Sequence, residues 1–186
     1  MVASDNNNSG TRRIVSSSHL VSDKAAALSE VEYGLIVAGN AFGMWMVKAM
    51  ATAVAELDII INGGADLGVL DVLCLHSVNH RGRSKKLADI CFKLNIEDSH
   101  TVSYALKKLV KAGLVSGEKQ GKEVFYATTE TGMMLIAQYK NVREACLVDG
   151  FATFDGVHDT SLGDVARQLR LLSGLYDQAA RSATNL

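Results

Sequence analysis

Ser84-Lys-Lys-Leu-Ala-Asp-Ile-Cys-Phe-Lys-Leu-Asn95, then Ile96-Glu-Asp-Ser-His-Thr-Val-Ser-Tyr-Ala-Leu-Lys-Lys-Leu-Val-Lys-Ala-Gly-Leu-Val115, then a glycine-punctuated pair of β-prone runs ending at Thr128, decide the fold of this chain. Ser84 is a helix N-cap residue type, and Leu87, Ile90, Cys91 and Leu94 fall on one face of the helix expected after it. A second helix is expected from about Asp98. At about 100° per residue, Val102, Ala105, Leu106 and Leu109 gather on one side of it, with His100, Tyr104, Lys107 and Lys111 opposite and Ser103 and Lys108 at the flanks. Leu114–Lys119 and Glu123–Thr128 are β-prone runs joined by Gln120-Gly-Lys122, a hairpin signal.

Helix, helix and hairpin in this order make up a winged helix, whose second helix enters the major groove of duplex DNA. On that reading Ser99, His100, Ser103, Tyr104 and Lys107 are candidates for base edges. Lys108 and Lys111 are placed for phosphates, and Lys119 and Lys122 sit at the wing tip, within reach of backbone or minor groove. Tyr104 suits a thymine methyl or a hydroxyl hydrogen bond, and Lys107 suits guanine N7 or O6.

Charge distribution agrees with a polyanionic partner. Between Arg81 and Lys122, ten basic residues stand against four acidic ones, giving +6, and since the whole chain is −1 the remainder carries −7. Such a segregated charge makes binding fall with salt. Cys74, Cys91 and Cys146 form no CxxC pair and no secretory leader precedes them, so reduced thiols and a cytoplasmic location are expected.

Outside the core stretch, residues 1–23 read as a disordered tail of Asn, Ser and Gly. Residues 24–60 read as one long helix. Val31, Leu35, Ala38, Phe42, Trp45 and Ala49 draw a stripe along it, and further apolar residues off the stripe call for cover from a dimer partner. Leu35–Ala55 is long enough to span a bilayer, but acidic flanks and Lys48 within the stretch argue against insertion, so no membrane partner is expected. Leu67–Val78 is expected to form a second, shorter helix. Residues 64–147 then comprise the DNA-binding domain and a helix from Thr131 to about Leu147, and residues 148–186 comprise a loop at Asp149–Gly156 followed by a dimerisation helix from Asp164 to about Arg181. Val165, Leu169, Leu172 and Tyr176 mark its pairing stripe. The expected fold class is therefore mostly α (α+β): a winged helix-turn-helix domain with N- and C-terminal dimerisation helices.

The runs Leu87-Ala-Asp-Ile90, Thr101-Val-Ser-Tyr-Ala-Leu-Lys-Lys-Leu-Val-Lys-Ala-Gly-Leu-Val115 and, after the wing, Thr129-Glu-Thr-Gly132 resemble the MarR family of bacterial transcription regulators, over Gly64 to about Leu147. The resemblance implies a homodimer joined through its terminal helices, bound to a near-palindromic operator, most often as a repressor, with affinity often set by a small molecule. Two departures stand out. The wing lacks the Asp and Arg pair usual at the family's wing tip, leaving Lys119 and Lys122, and the turn before the second helix is one residue longer.

Other chemistry leaves few marks. Phe42, Trp45, Met46 and His76 are candidates for a small-molecule pocket. Cys74, His76 and His80 are the only group suggesting a metal sensor, and Cys91 the only candidate redox thiol. No metal or cofactor is expected. Gly63-Gly64 lacks the strand and lysine of a phosphate-binding loop and no nucleophile elbow occurs, so an enzyme is not expected. A winged helix serving only protein interaction is the alternative to DNA binding.

Overall fold

The computed structural model describes residues 16–58, 66–153 and 159–186. The long helix α1 (Ala26–Glu56) is followed by α2 (Val69–Asn79), strand β1 (Lys85–Lys86), α3 (Leu87–Leu94), α4 (Ser99–Lys111), the hairpin β2 (Val115–Gln120) and β3 (Glu123–Thr128), α5 (Glu130–Arg143), α6 (Asp149–Ala152) and α7 (Asp159–Ala183). The chain divides into two compact units between Ile136 and Ala137. Of the expected tail, residues 1–15 lie outside the described residues, and Ser18–Leu20 form one 3-10 turn.

The first unit is built on the contacts of α2 with α1, α3 and α4. Val72, Leu75 and Val78 of α2, Ile90 of α3, and Val102, Leu106 and Leu109 of α4 are all fully buried. Each such side chain contributes roughly 1.5–3 kcal/mol of transfer free energy. The three antiparallel strands lie in the order β1-β3-β2, with Lys85 opposite Tyr126 and Lys119 opposite Val124.

Ser84 does not cap α3. Lys86 is the N-cap residue, its backbone N–H donates to Asp89 Oδ2 at 3.2 Å, and Lys85–Lys86 are drawn into extended pairing with β3. Two adjacent lysines carry no strand signal. Lys85 is nonetheless only 9% exposed, because its ammonium donates to the carbonyls of Val78 (2.8 Å), His80 (2.6 Å) and Arg83 (2.9 Å), closing the end of α2. Burial, ahead of the charges of Lys93 and Arg83, pushes its pKa below the usual lysine range.

Along α1 the buried residues are Ser29, Gly43, Met46, Ala49, Met50 and Ala53. Of the expected stripe, Val31, Leu35, Ala38 and Phe42 are exposed in the single chain, Trp45 is half-buried and Ala49 is buried. The difference arises because α2 packs on the side that carries Gly43, Met46, Met50 and Ala53. A Cβ on Gly43 would stand 3.3 Å from Val69 Cγ2, so a bulky stripe residue cannot take that place. Among the described residues α1 is also the one helix long and apolar enough to cross a membrane, by length and composition.

The Thr129-Glu-Thr-Gly132 run closes the first unit. Thr129 Oγ1 donates to the Gly113 carbonyl at 2.7 Å and accepts the Gly132 N–H at 3.1 Å, so one hydroxyl both caps α5 and ties it to the end of α4. Gly132 passes so close to Leu114 that an added Cβ would stand 2.2 Å from its carbonyl oxygen.

In the second unit, α5 gives way to a π-helical turn at Glu144–Val148, and Asp149–Ala152 is helical where a loop is expected. Gly150 has open space around it and no positive φ, so it acts as an ordinary helical residue rather than a breaker. For the same reason Gly163 is passed over, and α7 begins at Asp159, five residues before the expected start. The rest of the expected loop, Phe154–Gly156, lies outside the described residues. Val165 and Leu169 of the pairing stripe are exposed, whereas Leu172 and Tyr176 are half-buried.

Candidate nucleic-acid interface

The register of α4 is fixed at both ends. Asn95 ends α3 in the left-handed region (φ 54), with the Ile96 N–H donating to the Cys91 carbonyl at 3.0 Å. Asp98 then caps α4, its Oδ1 accepting the His100 N–H at 2.9 Å. At the far end Gly113 (φ 78) and the Leu114 N–H bond to the Leu109 carbonyl (3.0 Å) stop the helix.

Between these ends one face is committed to the core and the other is open. Val102, Ala105, Leu106 and Leu109 are at most 2% exposed, while Tyr104 is 74% exposed, His100, Lys107 and Lys111 share its side, and Ser99 is exposed at the first turn, facing α3. Ser103 is half-buried at the edge. In the wing, Gly121 takes φ 64 at the first central position of the two-residue turn and Lys122 follows it, the arrangement of a type II′ hairpin. Lys119 and Lys122 are both exposed. Leu87, Ala88 and Cys91 of α3, Ser99 of α4, and Lys122 and Tyr126 of the hairpin line a groove of about 550 Å³ beside the start of α4.

The ten basic residues of this stretch do not act together. Lys85 is consumed internally. Lys86 pairs with Glu123 and lies 5.3 Å from the centre of the Phe125 ring, and its hydrogen bond to Glu123 raises its pKa. Arg81, Arg83 and Lys93 belong to another side of α3. Lys108 differs from its expected role as a phosphate contact. Its ammonium meets Asp71 Oδ2 at 2.6 Å and the Asp66 carbonyl at 2.6 Å, and Asp71 in turn accepts the Gly68 N–H at the start of α2. Lys108 therefore braces α4 on α2. Four lysines, Lys107, Lys111, Lys119 and Lys122, remain on α4 and the wing with no ion pair among the described residues.

Asp71 is the residue that sequence reasoning misses. It lies 37 positions from Lys108, a separation at which no local spacing rule reports a contact.

The proposed pocket residues differ in exposure. Phe42, 54% exposed, stacks on Trp45 (centroids 6.2 Å apart, planes at 15°), Met46 is buried in the core, and His76 is half-buried on α2 with its pKa lowered by burial. None of the four lines the groove beside α4. Cys74 is fully buried, and desolvation first, then the charges of Asp71 and Cys91, push its pKa up to about 12, which disfavours the thiolate that a metal or oxidant requires. Among the described residues no three His, Cys, Asp or Glu side chains gather as a metal site. Cys91 is buried at the groove floor and Cys146 is exposed.

Residues 67–132 match the winged helix DNA-binding domain family. No curated protein sequence matches the chain. Among solved structures, a MarR transcriptional regulator from Methanosarcina mazei Go1 superposes with a TM-score of 0.58 at 18% identity, covering 78% of this chain and 96% of that one. A MarR-family transcriptional regulator from Rhodococcus sp. RHA1 gives 0.53 at 16% identity, covering 77% and 91%. CouR from Rhodococcus jostii RHA1, bound to p-coumaroyl-CoA, gives 0.53 at 15% identity, covering 76% and 90%. Over residues 67–132 the chain thus has a winged helix fold. Its fold is that of the MarR-family regulators.

Proposed function

We propose that this chain is a MarR-type transcriptional regulator, a cytoplasmic homodimer that binds a near-palindromic operator, as a repressor, through α4 in the major groove with the β2–β3 wing on the flanking backbone. The observation that carries the proposal is the two-sidedness of α4. Tyr104 stands 74% exposed beside Lys107 and Lys111, while the opposite face is sealed in the core. A helix held so firmly from behind presents a rigid edge to a groove. Ser99, His100, Ser103, Tyr104 and Lys107 read bases, and Lys111, Lys119 and Lys122 hold phosphates. The exposed apolar flanks of α1 and α7 supply the dimer contact, consistent with a chain that inserts into no membrane, and two α4 helices then meet half-sites about one helical turn apart. A small-molecule effector at Phe42, Trp45, Met46 and His76 is part of the proposal, supported by the ligand that the same fold holds in CouR. No residue is assigned a catalytic role.

Titration of labelled duplexes tests the division of labour. Tyr104→Ala is expected to reduce discrimination between DNA of the protein's own upstream region and random duplex. Lys111→Ala is expected to weaken every sequence alike and lower the salt slope by about 1 per protomer. Equal effects of both changes on all sequences would refute these roles.

A further inference from the structure

On the side of α3 away from the wing, His80, Arg81, Arg83 and Lys93 surround a basin of about 480 Å³ in which Asp89 is the one acidic lining residue. The cations crowd one another: Lys93 above all, with Arg81, Lys85 and Arg83, holds His80 below its usual pKa. The loop that displays them is set rigidly. Arg81 (φ 63) and Gly82 (φ 60) are successive left-handed residues, a conformation costly for arginine, and the Lys85 ammonium clamps the carbonyls on either side of them. Beside the cations Phe92 is 90% exposed. A phenylalanine left in water next to unbalanced cations fits a partner that is both anionic and apolar.

We propose that this face docks an acidic segment of another protein, one carrying an aliphatic or aromatic side chain to cover Phe92. A duplex seated on α4 does not reach it. On α3 the direction of Asp89, Phe92 and Lys93 is about 150° from that of Leu87, Ala88 and Cys91, which line the groove shared with Ser99 and the wing. Arg83 also precedes β1, whose Lys85 pairs with Tyr126, so it lies toward the base of the hairpin and away from Gly121 at the tip. Phosphates alone would moreover leave Phe92 uncovered. The docking face stands independently of DNA binding by α4.

Fluorescence anisotropy of the full chain tests this with three probes: a short labelled peptide alternating Glu with Leu and Trp, the same peptide with Ala in place of Leu and Trp, and random duplex DNA. Phe92→Ala is expected to weaken the first peptide about tenfold and leave the second unchanged. Lys93→Glu is expected to weaken both peptides and spare the duplex. Both side chains are exposed, and circular dichroism checks that the variants fold. The proposal is overturned if the Leu and Trp peptide binds no better than its Ala counterpart, or if Phe92→Ala changes nothing. It is equally overturned if Lys93→Glu costs the duplex as much as the peptides, which would make this face a nucleic-acid contact.

Discussion

Lys108 shows how one residue can carry a charge that its partner never sees. Its ammonium is neutralised by Asp71, whose side chain is 9% exposed, and the pair joins α4 to the first turn of α2. Lys108→Met should therefore leave the salt dependence of DNA binding unchanged while lowering stability by about 1–3 kcal/mol, the cost of an under-satisfied buried carboxylate. Urea denaturation and a salt titration of the same variant separate the two effects, and a shallower salt slope would mean that Lys108 does contact phosphate. Gly132 makes a different demand. Its missing side chain allows Leu114 and α5 to approach, and a methyl group 2.2 Å from a carbonyl oxygen forces the backbone apart. Gly132→Ala should cost about 3 kcal/mol or more, read as a lower urea midpoint. A loss under about 0.5 kcal/mol, the range of ordinary surface substitutions, would show that this approach is not required.

At the level of elements, α4 and the wing were legible because their signals are local. The spacing of Val102, Ala105, Leu106 and Leu109 follows one helix period, Asp98 and Gly113 mark its ends, and Gly121 marks the hairpin. What the sequence hid depends on distant partners. β1 exists only because Phe125 and Tyr126 pair with it, and Lys85 is buried only because three carbonyls converge on its ammonium. In α1 the chain offers apolar residues on several sides, so periodicity could not tell the face against α2 from a face awaiting other cover. Gly43, Met46, Met50 and Ala53 take the first role, and at Gly43 the approach of Val69 leaves no place for a large side chain. Within the candidate site the exposed faces of α4 and the wing were readable from the pattern, whereas the withdrawal of Lys108 was not.

For the molecule as a whole, half-buried His76 and buried Cys74 set opposite limits on stability with pH. Burial lowers the pKa of His76 below 6.5, so the unfolded chain takes up a proton first, and stability falls as pH drops from 6.5 toward the folded value. Cys74 is raised from 9.0 to about 12, so the unfolded thiol ionises first and stability falls as pH rises through that window. Denaturation midpoints across pH should show both limbs, the acid one flattened in His76→Gln and the alkaline one in Cys74→Ala; limbs unchanged in these variants would contradict the assignment. The charge of the molecule is likewise divided. Ten basic residues stand between Arg81 and Lys122, yet Lys107, Lys111, Lys119 and Lys122 are the ones left to α4 and the wing. Titrating the protein's own upstream DNA against random duplex over a range of salt tests this division and the regulatory role together. The proposed function predicts a clear preference for one sequence, with a log–log salt slope no steeper than about −7 for the proposed dimer, from at most about four lysine–phosphate contacts per protomer. Equal affinity for both duplexes at every salt concentration would contradict it.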